Sequence, residues 1–216
     1  MEKKLQIIGN GKLNLSVDQI EFDLYLKALK PNYNDAYKLA EIQLSQLQKD
    51  MAKIGFAKDA LKTNSFVINQ HYENYRDENN NYQTKLVGYE VNHQLTLKYA
   101  YDVDMLGKII NILTECDAQP EFNIRFTVKD QNQAKLELLK RITKDAKAKA
   151  RVLAKENKAK LIGIAEIDYT YSDNNFYSPT VYEHSVNAKC LAATGMEITA
   201  ADVQIEGSAR FVWEIE

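Results

Sequence analysis

Few residues in this chain are of a type and spacing that could do chemistry. The histidines are His71, His93 and His184, and none has a second His, a Cys or a carboxylate placed to put two metal ligands on one helical face. His71 and His93 fall on two segments that read as paired strands. They could therefore approach each other near Glu73 and Glu90 and form an acid–base or metal-binding pair. That pair is the sole motivation for a hydrolase or ligand-binding protein with a site between sheet and helices near the 63–101 hairpin. Gly9-Asn10-Gly11 is half of a dinucleotide-binding fingerprint. The third glycine and the following helix are missing, so a bulge or bend between two strands is the expectation there. No GxxxxGK[ST], HExxH or GxSxG motif occurs. On residue types alone, no catalytic residue, cofactor or metal is expected, and the chain is read as not an enzyme.

Two other features suit binding. The stretch 129–160 holds eleven basic side chains against four acidic ones, whereas the whole chain has a net charge of −2. Lys140, Lys144, Lys147, Arg151, Lys155 and Lys158 form one stripe at helical spacing, and Ala146, Ala150, Leu153 and Ala154 another. A basic stripe can neutralise phosphates, but this one carries no stacking aromatics, which argues against nucleic acid and leaves a solvated helix face or a face turned to an acidic patch of a protein partner or a neighbouring subunit. Eight of the 13 tyrosines fall on two segments: Tyr72, Tyr75, Tyr82 and Tyr89 about a hairpin, and Tyr169, Tyr171, Tyr177 and Tyr182 later. Tyrosine offers a large rigid contact area with a hydroxyl, and it is also a good strand former. The candidate interface is therefore Tyr72, Tyr75 and Tyr82 with Lys144, Arg151 and Lys155, and the expected partner is a second copy of the chain or another protein.

These residues need elements to hold them. Residues 5–15 and 17–29 read as strands, the second with Ile20, Phe22, Leu24 and Leu26 on one face and Glu21, Asp23, Tyr25 and Lys27 on the other. Pro31 stops it, Asn32 or Asn34 caps a helix carrying Ala36, Ala40, Leu44, Leu47, Met51 and Ile54, and Gly55 ends that helix. Segments 63–76 and 84–101 flank a polar turn and form a long protruding antiparallel hairpin. Asp102 caps a short helix with Leu106, Ile109, Ile110 and Leu113, and Phe122 to Val128 alternate as a strand. Asp130 opens a helix to about Lys160; strands follow at 161–171 and 203–215, with a weak one at 180–190. The pattern predicts an α+β fold in one domain over 1–216. Its sheet is mainly antiparallel, with a long helix in the C-terminal half and two shorter helices packed on it.

Composition narrows the class further. The chain has 216 residues, 45% of them apolar, which excludes wholesale disorder, and no apolar run approaches the roughly 20 residues that span a bilayer. Cys116 and Cys190 lie far apart with no CxxC, which fits free thiols in a reducing compartment. The N-terminus has no apolar stretch long enough for a signal peptide, so the expectation is cytoplasmic. A periplasmic or envelope location would follow if a leader had been removed.

Across nearly its whole length the sequence resembles the SIMPL-domain family. The resemblance rests on the Gly9-Asn10-Gly11 strand followed by Asp18, the Ala36/Ala40 helix ending at Gly55, Thr63 opening the hairpin, and Gly88-Tyr89 with Leu95 and Leu97. Ala146, Ala150 and Ala154 running into Leu161 and Gly163, and the closing strand around Val203 to Val212, complete it. Two turns depart from the family pattern: Asn157 stands where Gly is usual, and Ala201-Asp202 replaces Pro-Gly. The resemblance implies an α+β fold without established catalytic residues, in a largely bacterial family with exported members and members that assemble into oligomers. The shared pattern is one of glycines, alanines and strand alternation, so it transfers no functional residue.

Overall fold

A computed structural model of the chain describes residues 3–77, 80–170, 174–180 and 199–216. The chain divides into two compact units. One holds the N-terminal strand up to Asp18 together with Phe126–Thr180 and Ala200–Glu216, and the other is built on Gln19–Arg125. The architecture is α+β with antiparallel sheet, as the strand and helix periods require, and the strands form two sheets of three and four strands.

In the first unit, β1 (Lys3–Leu15), β7 (Val203–Ile215) and β6 (Leu161–Asp168) form a sheet in the order β1-β7-β6, and α3 (Gln131–Glu156) lies on it. The bulge expected at Gly9-Asn10-Gly11 is absent: β1 pairs with β7 in an unbroken register from Lys3↔Ile215 to Leu15↔Val203. The glycines serve the helix instead. A Cβ on Gly9 would collide with the Ile142 carbonyl oxygen and lie 2.7 Å from Ala146 Cβ, and one on Gly11 would lie 2.7 Å from Ile142 Cγ1. The buried face of α3 is one row of every fourth residue, Ala134, Leu138, Ile142, Ala146, Ala150 and Ala154. Such rows are inclined about 26° to the helix axis, so this one seats the helix obliquely on the strands. Ile7, Leu13, Val203, Ile205, Phe211 and Trp213 close the same core.

Asp130 caps α3 by accepting from the Gln133 amide at 2.8 Å, as expected. The helix ends at Glu156 rather than near Lys160. Lys158 takes a left-handed conformation (φ 53°) and the Ala159 amide donates back to the Ala154 carbonyl at 2.9 Å. This closure wants glycine at its left-handed position, and here a lysine holds it. Lys158 therefore lies beyond the helix and outside the basic stripe.

In the second unit, β3 (Leu61–Arg76), β4 (Tyr82–Ala100), β2 (Gln19–Lys30) and β5 (Glu121–Thr127) form a sheet in the order β3-β4-β2-β5, with α1 (Tyr33–Ala52) and α2 (Val103–Glu115). Ala36 and Ala40 of α1 pack on Ala28 and Val91. Asn32 stands at the N-cap of α1, but its side chain donates to Asp35 Oδ2 at 3.2 Å instead of capping the backbone. Gly55 beyond the helix has φ 96°, as its role as terminator predicts. Asp102 caps α2 through the Met105 amide at 3.0 Å. The β3–β4 hairpin turns through Asp77 and Asn80, the latter at φ 64°. The weak strand expected at 180–190 lies outside the described residues.

Two substitutions test this packing. Gly9→Ala should destabilise the protein by about 1–3 kcal/mol in denaturant titration, because the added methyl must displace α3 from β1. Lys158→Gly should stabilise it by about 1 kcal/mol and raise the melting temperature by roughly 2–4 °C, because it removes a side chain from a left-handed turn.

Candidate functional site

The structure separates the residues that the sequence brought together as a catalytic possibility. His71 pairs with Gly88 and His93 with Phe66 across the hairpin, which places the two rings on opposite faces. With five residue steps of strand separating them, they are about 17 Å apart along it. No acid–base or metal pair forms from them, and the motivation for a hydrolase falls with it. His71 Nδ1 lies 3.5 Å from Glu90 Oε2. His93 is buried, shares a 2.9 Å hydrogen bond between its Nε2 and Thr63 Oγ1, and stacks edge-on to Phe66 with ring centroids 5.0 Å apart. Among the described residues no three His, Cys, Asp or Glu side chains converge as a metal site would need. Cys116 is buried, and burial pushes its thiol pKa up, which suppresses its nucleophilicity. His184 and Cys190 lie outside the described residues.

One charged cluster escaped the sequence reading. Glu21 and Asp23, placed by alternation on the polar face of β2, are only 4% and 7% exposed. Arg125 of β5 bridges Glu21 Oε1 and Asp23 Oδ2, both at 2.7 Å. Lys98 of β4 holds Glu21 Oε2 at 2.9 Å, and Thr96 donates to Asp23 Oδ1 at 3.3 Å. Every carboxylate oxygen is thus engaged and the charges balance, so the cluster ties three strands together rather than presenting a free base. The alternating pattern gave Arg125 its face; only the order β4-β2-β5 made it the partner of β2. Beside the cluster, Glu21, Asp59, Lys62, Asn64, Thr96 and Lys98 line a hollow of about 500 Å3.

The binding candidates fall on surfaces. Tyr72, Tyr75 and Tyr82 are exposed, Tyr82 at 74%, on the outer part of the hairpin, where no residue of Tyr72–Arg76 or Tyr82–Leu86 is buried. The Arg76 guanidinium sits 4.7 Å from the Tyr82 ring centroid and also donates to its hydroxyl at 2.7 Å. Tyr169 is exposed and Tyr177 bridges to Thr127; Tyr171 and Tyr182 lie outside the described residues. Lys144, Arg151 and Lys155 point away from the buried row of α3, and Ala146, Ala150 and Ala154 face inward as expected. Leu153, grouped with those alanines by spacing, is exposed instead, because the buried row follows a strict four-residue step that excludes position 153. The basic face is also more apolar than its charges suggest. Leu136 and Leu139 line a groove with Lys140, Lys144, Lys147 and Arg151, and Val152 beyond them is 61% exposed.

The row of α3 next to β1 has a separate task. As an edge strand, β1 turns the backbone groups of every second residue away from the sheet. Arg141 donates to the Lys12 carbonyl at 2.9 Å, Asp145 accepts from the Asn10 amide at 2.7 Å, and Lys149 donates to the Ile8 carbonyl at 3.1 Å. Four helical residues advance about 6.0 Å and two strand residues about 6.8 Å, so an i, i+4 row runs nearly in step with the strand edge. Lys149 and the Asn10 amide together hold the Asp145 carboxyl below its ordinary pKa. Sequence periodicity cannot reveal this ladder, because nothing in it says which strand α3 lies on.

Burial lowers the pKa of His93 below its ordinary 6.5. A depressed imidazole favours folding above the unfolded pKa, and that contribution is lost as pH falls from 6.5 toward the folded value. We therefore expect His93→Gln to flatten the decline of melting temperature on acidification below that pH. An unchanged decline would assign it to other groups.

Comparison with known proteins agrees with this frame. Among the described residues no helix is long and apolar enough to cross a membrane. No curated protein matches the chain. The SIMPL family model, described as a protein of unknown function (DUF541), matches residues 5–213. Its match spans both glycines of β1, the ladder row of α3, the hairpin and all but the end of β7, and on that coverage the chain belongs to the SIMPL family.

Proposed function

We propose that the protein is a non-enzymatic binding scaffold that associates with copies of itself. The observation that carries this reading is the outer hairpin. It is a two-stranded ribbon presenting Tyr72, Tyr75 and Tyr82 to solvent and burying none of its residues from Tyr72 to Arg76 or from Tyr82 to Leu86. A two-stranded ribbon is at best marginally stable in water and gains by docking on another surface. Tyrosine supplies such docking with large contact area at small entropic cost. The full use of the Glu21 and Asp23 carboxylates supports a role in binding over catalysis. The exposed cations of α3 add steering toward an acidic surface, each exposed pair contributing about 0–1 kcal/mol.

The test is sedimentation of the full chain across a concentration series. We expect the parent to exceed one chain mass, and Tyr72→Ser, Tyr75→Ser and Tyr82→Ser together to lower its apparent association constant at least tenfold. The melting temperature should move little, because these side chains support no core. A parent that stays at one chain mass throughout would sink the reading.

A further inference from the structure

The order β3-β4-β2-β5 leaves β3 at a sheet edge, and among the described residues no strand pairs with its outer side. Edge strands are ordinarily guarded by Lys, Pro or a covering element, because their free backbone groups invite another strand. From Thr63 to Tyr72 this one contains no Lys, Arg, Asp, Glu or Pro. Helix α1 packs further in, on Ala28 of β2 and Val91 of β4. Phe66 and Val67, on opposite faces of the strand, are 41% and 43% exposed. The same strand runs on into the outer hairpin, where it carries Tyr72 and Tyr75.

This strand is also complementary to itself. Asn64 is an extra residue in the pairing with β4, so the alternation before Ser65 shifts by one. Lys62 then shares a face with Val67, Asn69, Glu73 and Tyr75, and Thr63 shares the α1 side with Phe66, Ile68 and Tyr72. With Asn64 discounted, Lys62 stands five steps before Ile68 and Glu73 five steps after it. Asp59, in the short 3-10 turn ahead of the strand, stands eight before, and Arg76 eight after. Opposite charges thus lie at matching distances on either side of one residue. The hollow of about 500 Å3 lined by Asp59, Lys62, Asn64, Thr96 and Lys98 with Glu21 opens on the face that Glu73 and Tyr75 occupy.

We propose that β3 of one copy pairs antiparallel with β3 of a second copy about a two-fold axis through Ile68. This inference rests on the self-association reading and gives the hairpin its docking surface. A two-fold normal to the sheet keeps both α1 helices on one side and sets like faces together. Val67 then lies across from Asn69 of the second copy, Phe66 from Gln70, Thr63 from Tyr72 and Lys62 from Glu73. Glu73 and Tyr75 of each copy reach the rim of the hollow in the other, and Arg76 reaches Asp59. Lys62 and Asp59 of one chain are 3.8 Å apart with both side chains largely exposed, so that pairing is weak and gives way at little cost. A different protein would have no use for charges placed symmetrically about Ile68, so the occupant of this edge is a second copy. The contact is isologous, joins two four-stranded sheets into one, and closes at two copies.

Charge exchange in the full chain tests the pairing. Lys62→Glu and Glu73→Lys each set like charges across the axis twice, and both positions are exposed. In the double variant every pair is again opposite in sign, and the same holds between the two single variants when they are mixed. We expect the parent to sediment at two chain masses and each single variant to associate at least about fivefold more weakly at low salt. The double variant and the equimolar mixture should recover the parent's association constant to within about twofold. Near-UV circular dichroism checks that each variant folds. Single variants that associate like the parent overturn the proposal and leave self-association standing. Weakened single variants that neither the double variant nor the mixture restores overturn it too, since Lys62 would not then face Glu73. A parent that never associates overturns both readings.

Discussion

The close approach of α3 to β1 is the contact on which the first unit depends. Gly9 and Gly11 remove the Cβ atoms that would otherwise meet Ile142, Ala146 and Leu138, and the small residues of the buried row complete the fit. Dispersion contacts fall away within about an ångström of added gap, so a helix that rides higher on the strand loses packing along the whole row. Proximity also brings Arg141, Asp145 and Lys149 within reach of the strand edge. With bulkier residues at positions 9 and 11 those side chains could not span the gap, and the outward amide and carbonyl groups would return to water or to another chain.

Seen in rows, α3 does several jobs with one period. One row of every fourth residue is buried, and its neighbour protects β1. The outer rows carry Lys144, Lys147 and Arg151 together with Leu136 and Val152. Protection stops where the neighbouring row changes from Lys149 to Leu153, and there a polar edge gives way to an apolar groove. One change of residue type along a helix thus divides the stretch of edge that α3 engages by hydrogen bonds from the stretch that it does not.

The second unit obeys a different constraint. Its sheet packs Ala28 and Val91 of its apolar face against Ala36 and Ala40 of α1, while the polar face of β2 holds Glu21 and Asp23 away from water. Burying two carboxylates is costly unless cations and donors engage them, and Arg125, Lys98 and Thr96 do so from the two flanking strands. Such a network is more demanding of strand order than of total stability, since a slip of β5 would strand the charges. The hairpin register has the same authority over chemistry: it parts His71 from His93 and leaves His71 beside Glu90.

Local sequence determined most of the element list. Alternation in β2, β4 and β5, the Asp102 and Asp130 caps, and the terminating Gly55 are decided by interactions within a few residues, which periodicity and side-chain chemistry record directly. The SIMPL pattern was legible for the same reason, being made of glycines, alanines and strand alternation. Tertiary structure alone decided which elements meet. It divided the strands between two sheets, gave Gly9 to a helix contact instead of a bulge, exposed Leu153 and buried Glu21 with Asp23. It also matched a row of α3 to the edge of β1. Each of these depends on groups far apart in the chain, and a one-dimensional pattern carries the face a residue occupies but not the partner that face will find.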